Sequence, residues 1–234
     1  MRISEIFGTL QGEGPALGEP SIFLRLSGCN LRCVWCDTKY TWQWEVFDRS
    51  REERVMTVEE VVEEILCVSS SVSTHNMVLT GGEPLLQQRE LKEVIGALID
   101  SSHQDWHFDI ETAGTLPPDP VLMSMLRHVV VSPKLSSSGN DPRAAQRLDV
   151  LTQYAQLRNS WFKFVVASDE DYTEMARLVG RLGIDRTRVF LMAEGATAER
   201  QAATAPTLAA RCARDGYRFS PRLHILLWGT RRGV

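Results

Sequence analysis

Three cysteines fall within one short stretch, Cys29-Asn30-Leu31-Arg32-Cys33-Val34-Trp35-Cys36. Two short gaps of this kind let three thiolates converge on one face of a loop, whereas a closed structural zinc site wants four ligands. No fourth cysteine shares this context, and His75 lies far downstream. Three thiolates and one open position suit an iron–sulfur cluster that leaves one iron free for a small molecule. The competing reading is an incomplete or shared zinc knuckle. The other two cysteines, Cys67 beside Leu66 and Val68 and Cys212 in an Ala-rich stretch, read as small core residues. Thr80-Gly81-Gly82-Glu83-Pro84 is a second candidate, because paired glycines let backbone approach a ligand and offer it amide groups. Alone, it would be an ordinary strand-to-helix turn. His75, His103, His107 and His128 have no carboxylate or second histidine at ligand spacing and read as structural or exposed. Neither a G-x-S-x-G elbow nor a G-x-G-x-x-G fingerprint is present, which disfavours hydrolase and nicotinamide chemistry.

The elements that position these groups announce themselves as short apolar runs: Ile22 to Leu26, Met77 to Leu79, Phe108 to Ile110, Val129 to Val131, Phe162 to Val166 and Val189 to Met192. Between them lie amphipathic helical patterns at Val58 to Leu66, Leu91 to Ile99 and Tyr172 to Leu182, the first opened by a Thr57–Glu60 capping box. Alternation of strand and helix predicts a parallel α/β fold, either a doubly wound sheet or a βα barrel, with about six units. Asp48 to Arg54 is dense in charge and predicts a loop; Ala196 to Ala210 predicts a helix interrupted at Pro206. The 234 residues fit a single domain, and 43% hydrophobic with 24% charged residues excludes a disordered chain. No apolar window reaches transmembrane length and the start lacks a secretory pattern, so the expectation is a cytoplasmic protein without a membrane partner. A net charge of −4 argues against nucleic acid as a partner.

The cysteine loop after the first strong strand, with an aromatic before the third cysteine, resembles the radical S-adenosylmethionine (SAM) superfamily, and the Gly81-Gly82-Glu83-Pro84 segment resembles the part of that family that meets the cofactor's methionine end. Phe7 to Gly14, Phe23 to Leu26, Cys36-Asp37-Thr38, Ile110 to Gly114, Val131 to Lys134 and His224 follow in order the pattern of the 7-carboxy-7-deazaguanine synthase family. That resemblance implies an incomplete parallel βα barrel (a partial TIM barrel) spanning residues 1–234, with a substrate loop at 7–14 and a cluster loop at 29–56. It implies radical ring contraction of 6-carboxytetrahydropterin with loss of ammonia, in queuosine biosynthesis, and hydrogen returned to the cofactor afterwards. Cys29, Cys33 and Cys36 would hold a 4Fe–4S cluster. Trp35, Asp37, Gly81, Gly82, Glu83, Glu111, Ser132, Pro133, Lys134 and Met192 would meet S-adenosylmethionine, and Leu10, Gln11, Gly12, Glu13, Arg25, Thr80 and His224 the pterin. Thr38 would be a magnesium ligand, a hard oxygen suited to Mg²⁺. A homodimer and a flavodoxin-type electron donor are implied partners. The ten residues after His224 exceed the tail of relatives that reach substrate with a terminal carboxylate, so that contact is not carried over.

Several of these residues stand out without the family. Arg25 alternates onto the face opposite Leu24 and Leu26, where a guanidinium suits a carboxylate; the alternative is a buried salt bridge. Lys134 and Lys163, two of only four lysines, lie at or within strands and should neutralise something; for Lys163 that is an ion pair or a ligand. Gln11 and Glu13 in a Gly-flanked loop offer donors and acceptors to a pterin edge. Glu111 could take ribose hydroxyls or a helix N-terminus. Trp35, Trp42 and Trp44 surround the cysteine loop, as shield or as packing. Other readings of the chain are a glycyl-radical activating enzyme, which Arg25, Thr38 and the Gln11-Gly12-Glu13 loop disfavour, and a non-catalytic electron-transfer protein, which would not cleave S-adenosylmethionine.

Overall fold

The computed structural model describes residues 1–101 and 104–234, so the expectation for His103 lies outside the described residues. Among the described residues nine strands form one sheet: β1 (Arg2–Leu10), β2 (Pro20–Leu26), β3 (Arg54–Val55), β4 (Asn76–Gly81), β5 (His107–Thr112), β6 (His128–Val131), β7 (Ser160–Val166), β8 (Val189–Ala193) and β9 (Arg218–Phe219). Their order is β3-β1-β2-β4-β5-β6-β7-β8-β9, with both ends open. From β2 onward every neighbouring pair is parallel, while β1 runs antiparallel to β2 and β3. The six expected strands are β2 and β4 to β8, and the sheet is a partial barrel.

Period-two alternation sorts each strand onto two faces. Leu24, Leu26, Leu79, Ile110, Phe162, Phe164 and Leu191 are fully buried against helices such as Val58–Val72, Gln88–Ser101 and Asp169–Leu182. The capping box of the first is present, with Thr57 Oγ1 accepting from Glu60 N at 3.2 Å and Glu60 Oε2 from Thr57 N at 2.7 Å. Among the described residues no helix is long and apolar enough to cross a membrane.

Four local expectations change. Phe7–Leu10 complete β1, so the expected substrate loop begins as strand and turns only at Gln11. Within 48–54, Asp48 caps a short helix, Arg49–Glu52, and Arg54 opens β3. The Ala-rich helix spans Ala198–Asp215 and runs through Pro206, which lies on the solvent side where the carbonyl that loses its partner meets water. Cys67 is exposed, because two residues beyond Ile65 a helix has turned about 200° from its buried face; Cys212 is buried as expected.

Candidate active site

The ends of the parallel strands and the loops that follow them enclose a cavity of 390 Å³, the place where βα folds build sites. All three loop cysteines line it, with Leu10, Gln11, Gly12, Glu13, Arg25, Trp35, Asp37, Thr38, Thr80, Gly81, Gly82, Glu111, Ser132, Lys134, Met192 and His224. Glu83 and Pro133 stand outside that lining. Glu83 is a brace: its buried carboxylate accepts from Thr112 Oγ1 (2.8 Å), Ala113 N (2.8 Å) and Leu85 N (3.1 Å), tying the end of β4 to the end of β5.

The glycine pair lets two backbones meet. Gly81 has φ +141°, and a Cβ there would lie 2.2 Å from Leu26 O; one on Gly82 would lie 2.2 Å from Gly28 O. Gly82 N donates to Leu26 O at 3.1 Å and Glu83 N to Gly28 O at 2.9 Å. These two amides are therefore spent on anchoring the root of the cysteine loop, where the sequence suggested amides offered to a ligand.

Arg25 faces Glu5 across the β1–β2 register, and its Nε donates to Glu5 Oε2 at 2.8 Å. Tyr40 Oη donates to the same oxygen at 2.9 Å, and Arg232 Nε to the other at 3.1 Å. Arg232 also reaches Glu52 Oε2 (2.8 Å) and lies over the Tyr40 ring, bringing the tail after His224 onto the cavity wall. Neither Glu5 nor Arg232 carried a sequence signal.

A second ionic network lines the same cavity. Lys163 Nζ lies 2.5 Å from Glu13 Oε2 and 3.6 Å from Glu111 Oε1, and Arg222 Nε lies 3.1 Å from Glu13 Oε1. Arg222 also pairs with Asp37 and donates to Gly195 O at 2.9 Å. Glu111 accepts from Thr80 Oγ1 (3.1 Å) and Gln11 Nε2 (3.4 Å). Burial opposes ionisation of Glu13, but Lys163 and Arg222 outweigh it and hold the carboxyl well below its usual range. Burial likewise opposes the Lys163 charge, and Glu111 and Glu13 reverse the balance and raise its pKa. Burial lowers the His224 pKa and favours the neutral ring.

At the cysteine loop, burial pushes the Cys29 thiol up to about 12 and raises Cys33 as well. A thiolate there needs a compensating cation, and bound iron would be one. Among the described residues no three His, Cys, Asp or Glu side chains stand close enough to hold a single ion. A cluster does not ask for that, since each thiolate takes a different iron. Trp35 lines the cavity, and among the described residues its buried Nε1 has no hydrogen-bond partner. Lys134 Nζ donates to Ser132 Oγ at 2.9 Å and sits 5.7 Å from the Trp35 ring centroid. The donor set fits an iron–sulfur cluster with an anionic small molecule beside it.

The Radical SAM superfamily model matches residues 24–193. Over the whole chain the sequence is 40% identical to the 7-carboxy-7-deazaguanine synthase of Pyrobaculum aerophilum, covering 97% of that protein. The chain belongs to the 7-carboxy-7-deazaguanine synthase family of the radical SAM superfamily. The family member from Hyperthermus butylicus is 36% identical over 97% of this chain and 92% of its own. The crystal structure of QueE from Escherichia coli superposes with a TM-score of 0.66 at 28% identity, covering 95% of this chain and 94% of that one. Streptococcus suis SuiB bound to S-adenosylmethionine, 14% identical, shares the fold at a TM-score of 0.51, over 82% of this chain and 48% of its own. Membership in this family brings with it a 4Fe–4S cluster and S-adenosylmethionine. None of these relatives is named as a glycyl-radical activating enzyme or an electron carrier.

Proposed function

We propose that this chain, as one domain, contracts the ring of 6-carboxytetrahydropterin to 7-carboxy-7-deazaguanine with release of ammonia, in the queuosine route. The observation that carries the reading is the single cavity shared by Cys29, Cys33, Cys36, Arg25, Glu13 and His224, in a chain 40% identical end to end to a synthase of that name. When bound, the cluster and S-adenosylmethionine would supply the radical chemistry that the ring contraction needs.

The protein's own part is binding, orientation and exclusion of water. Cys29, Cys33 and Cys36 hold the cluster. Trp35, Asp37, Glu111, Ser132, Lys134 and Met192 hold the cofactor, while Gly81, Gly82 and Glu83 set the backbone that carries it. Arg25 spends its Nε on Glu5 and keeps its outer edge for the substrate carboxylate, a bidentate use of the guanidinium. Leu10, Gln11, Gly12, Glu13, Thr80 and His224 surround the pterin, with Glu13 ionised and His224 neutral by virtue of their neighbours. Thr38 would offer its hydroxyl as one hard oxygen ligand to magnesium. The substrate segment 7–14 and cluster segment 29–56 work as two halves of one mouth. A homodimer in the cytoplasm, reduced by a flavodoxin-type donor, completes the reading.

The experiment is anaerobic reconstitution, followed by mass analysis of product from 6-carboxytetrahydropterin. Formation of 7-carboxy-7-deazaguanine and ammonia is expected. Cleavage of S-adenosylmethionine without either product would leave the superfamily and remove the substrate.

A further inference from the structure

Each cysteine of the loop receives an N–H donor from a different part of the chain. Leu31 N donates to Cys29 Sγ at 3.4 Å, Asn140 Nδ2 to Cys33 Sγ at 3.2 Å and Trp42 Nε1 to Cys36 Sγ at 3.4 Å. The two side-chain donors are held in place. Asn140 Oδ1 accepts from Arg32 N at 2.8 Å, and its Nδ2 also donates to Ser138 Oγ at 3.0 Å. Ser138 is fully buried, and its carbonyl accepts from Val34 N at 3.0 Å, so Asn140 belongs to the seam that joins the cysteine loop to the segment after β6. Trp42 is 9% exposed, with the Arg32 guanidinium 5.6 Å from its ring centroid. An indole has one donor and no acceptor, and this one points at sulfur.

We propose that Asn140 and Trp42 raise the reduction potential of the cluster held by Cys29, Cys33 and Cys36, an inference that rests on those three residues being its ligands. Hydrogen bonds to the sulfurs, together with solvent exposure, set the potential of an iron–sulfur centre. One-electron reduction adds negative charge that is shared by the thiolate sulfurs. An N–H dipole aimed at such a sulfur therefore stabilises the reduced state more than the oxidised one. Cys33 is 8% exposed, so little water screens the effect. The electron comes from an external reductant, and no bond forms or breaks. The three donors differ in kind: Leu31 gives a backbone amide that only proline would remove, whereas the two side-chain donors can be deleted one at a time.

The test is the midpoint potential of the reconstituted full-length chain, read by electron paramagnetic resonance through a mediated titration without S-adenosylmethionine. Trp42→Phe keeps the ring and deletes its N–H. Asn140→Asp keeps the acceptor for Arg32 N and replaces the donor. Trp42→Phe is expected to cut the ratio of reduced to oxidised cluster at a fixed potential about tenfold, a shift of about 59 mV for one electron. Asn140→Asp should lower it further, because a carboxylate then faces Cys33. Full iron content with wild-type potentials in both variants overturns the proposal. So does reduced cluster loading in which the loaded fraction still titrates at the wild-type potential, since that is the signature of packing alone. A wild-type chain that assembles no 4Fe–4S cluster defeats the ligand assignment itself, and is told apart by its iron content.

Discussion

Alternate residues of the same strands do two different jobs. Along β2, Leu24 and Leu26 are fully buried under helices, while Phe23 and Arg25 line the cavity. Along β7, Phe162 and Phe164 are fully buried, and Lys163 between them is paired with Glu13. β5 repeats the division with Ile110 and Glu111. The outer face works through area, which is non-directional and tolerant of exchange among similar apolar side chains. The inner face works through charge and geometry, which are neither. Damage to one should register as lost stability, and damage to the other as lost chemistry.

The sharpest contrast lies among the cysteines. Cys29→Ala, Cys33→Ala or Cys36→Ala should each abolish cleavage of S-adenosylmethionine, whereas Cys67→Ala and Cys212→Ala should cleave normally; iron content and cleavage assays decide it. Full cleavage by any loop mutant would break the assignment. Next comes a neighbouring pair on β2. Leu24→Ala should lose about 2–5 kcal/mol of unfolding free energy with an unchanged KM. Arg25→Ala should raise KM for 6-carboxytetrahydropterin roughly a hundredfold, about 2–4 kcal/mol, with cluster and uncoupled cleavage intact. Arg25→Lys should recover little, since a point charge does not reproduce the planar fork. Equal losses of stability from the Leu24 and Arg25 substitutions would erase the distinction between the faces.

Asp109 sharpens the comparison from the far end of the same inner face. It alternates with Ile110 as Glu111 does, yet it sits at the N-terminal side of the barrel, where Arg127 Nη2 donates to it at 2.8 Å and His128 Nδ1 lies 3.2 Å away. Burial raises its pKa, and His128 and Arg127 outweigh burial to hold it below the ordinary value. A lowered folded pKa contributes stability that is complete above the unfolded value, about 3.9, and is lost as pH falls through the folded value. Asp109→Asn should therefore remove about 1.5–3 kcal/mol at neutral pH, the worth of hydrogen bonds to a charged group, and flatten the acid limb of stability, as denaturant unfolding followed from neutral pH down through the carboxylate range would register. Turnover at neutral pH should hold. The smallest effect is expected at Thr38→Ala, with a magnesium response on the order of tenfold weaker and unchanged cluster absorbance. Wild-type magnesium dependence in that variant would remove the metal role.

The six parallel strands were legible because each is an apolar run bounded by turn residues, and the capping box of the Val58–Val72 helix because its two partners lie three positions apart. β1 was not, since Ser4, Glu5 and Thr9 interrupt its apolar residues, the last two facing the cavity. β3 and β9 are two residues long, too short for any period to show. Within the site, the cysteine spacing and the charges set inside apolar runs, Arg25 and Lys163, could be read from the chain alone. The partner of Arg25 could not: Glu5 and, beyond it, Arg232 look like surface residues until the strand register brings the first to Arg25 and the returning tail brings the second to Glu5. Asn140 and Trp42 carry no local pattern that points to sulfur.

Arg222 reaches back 209 positions to Glu13 and 185 to Asp37. On a ribosome extending the chain at about 5–20 residues per second, the order of synthesis becomes an order of assembly. Most of the sheet and its helices emerge before Arg222 does, so the frame can form first. In that interval Glu13 and Glu111 have Lys163 as their shared cation without Arg222, and the cysteine loop lacks its tie to the C-terminal segment. The pocket is thus one of the last features of the molecule to be finished, although the loop that names its chemistry is among the first to be made.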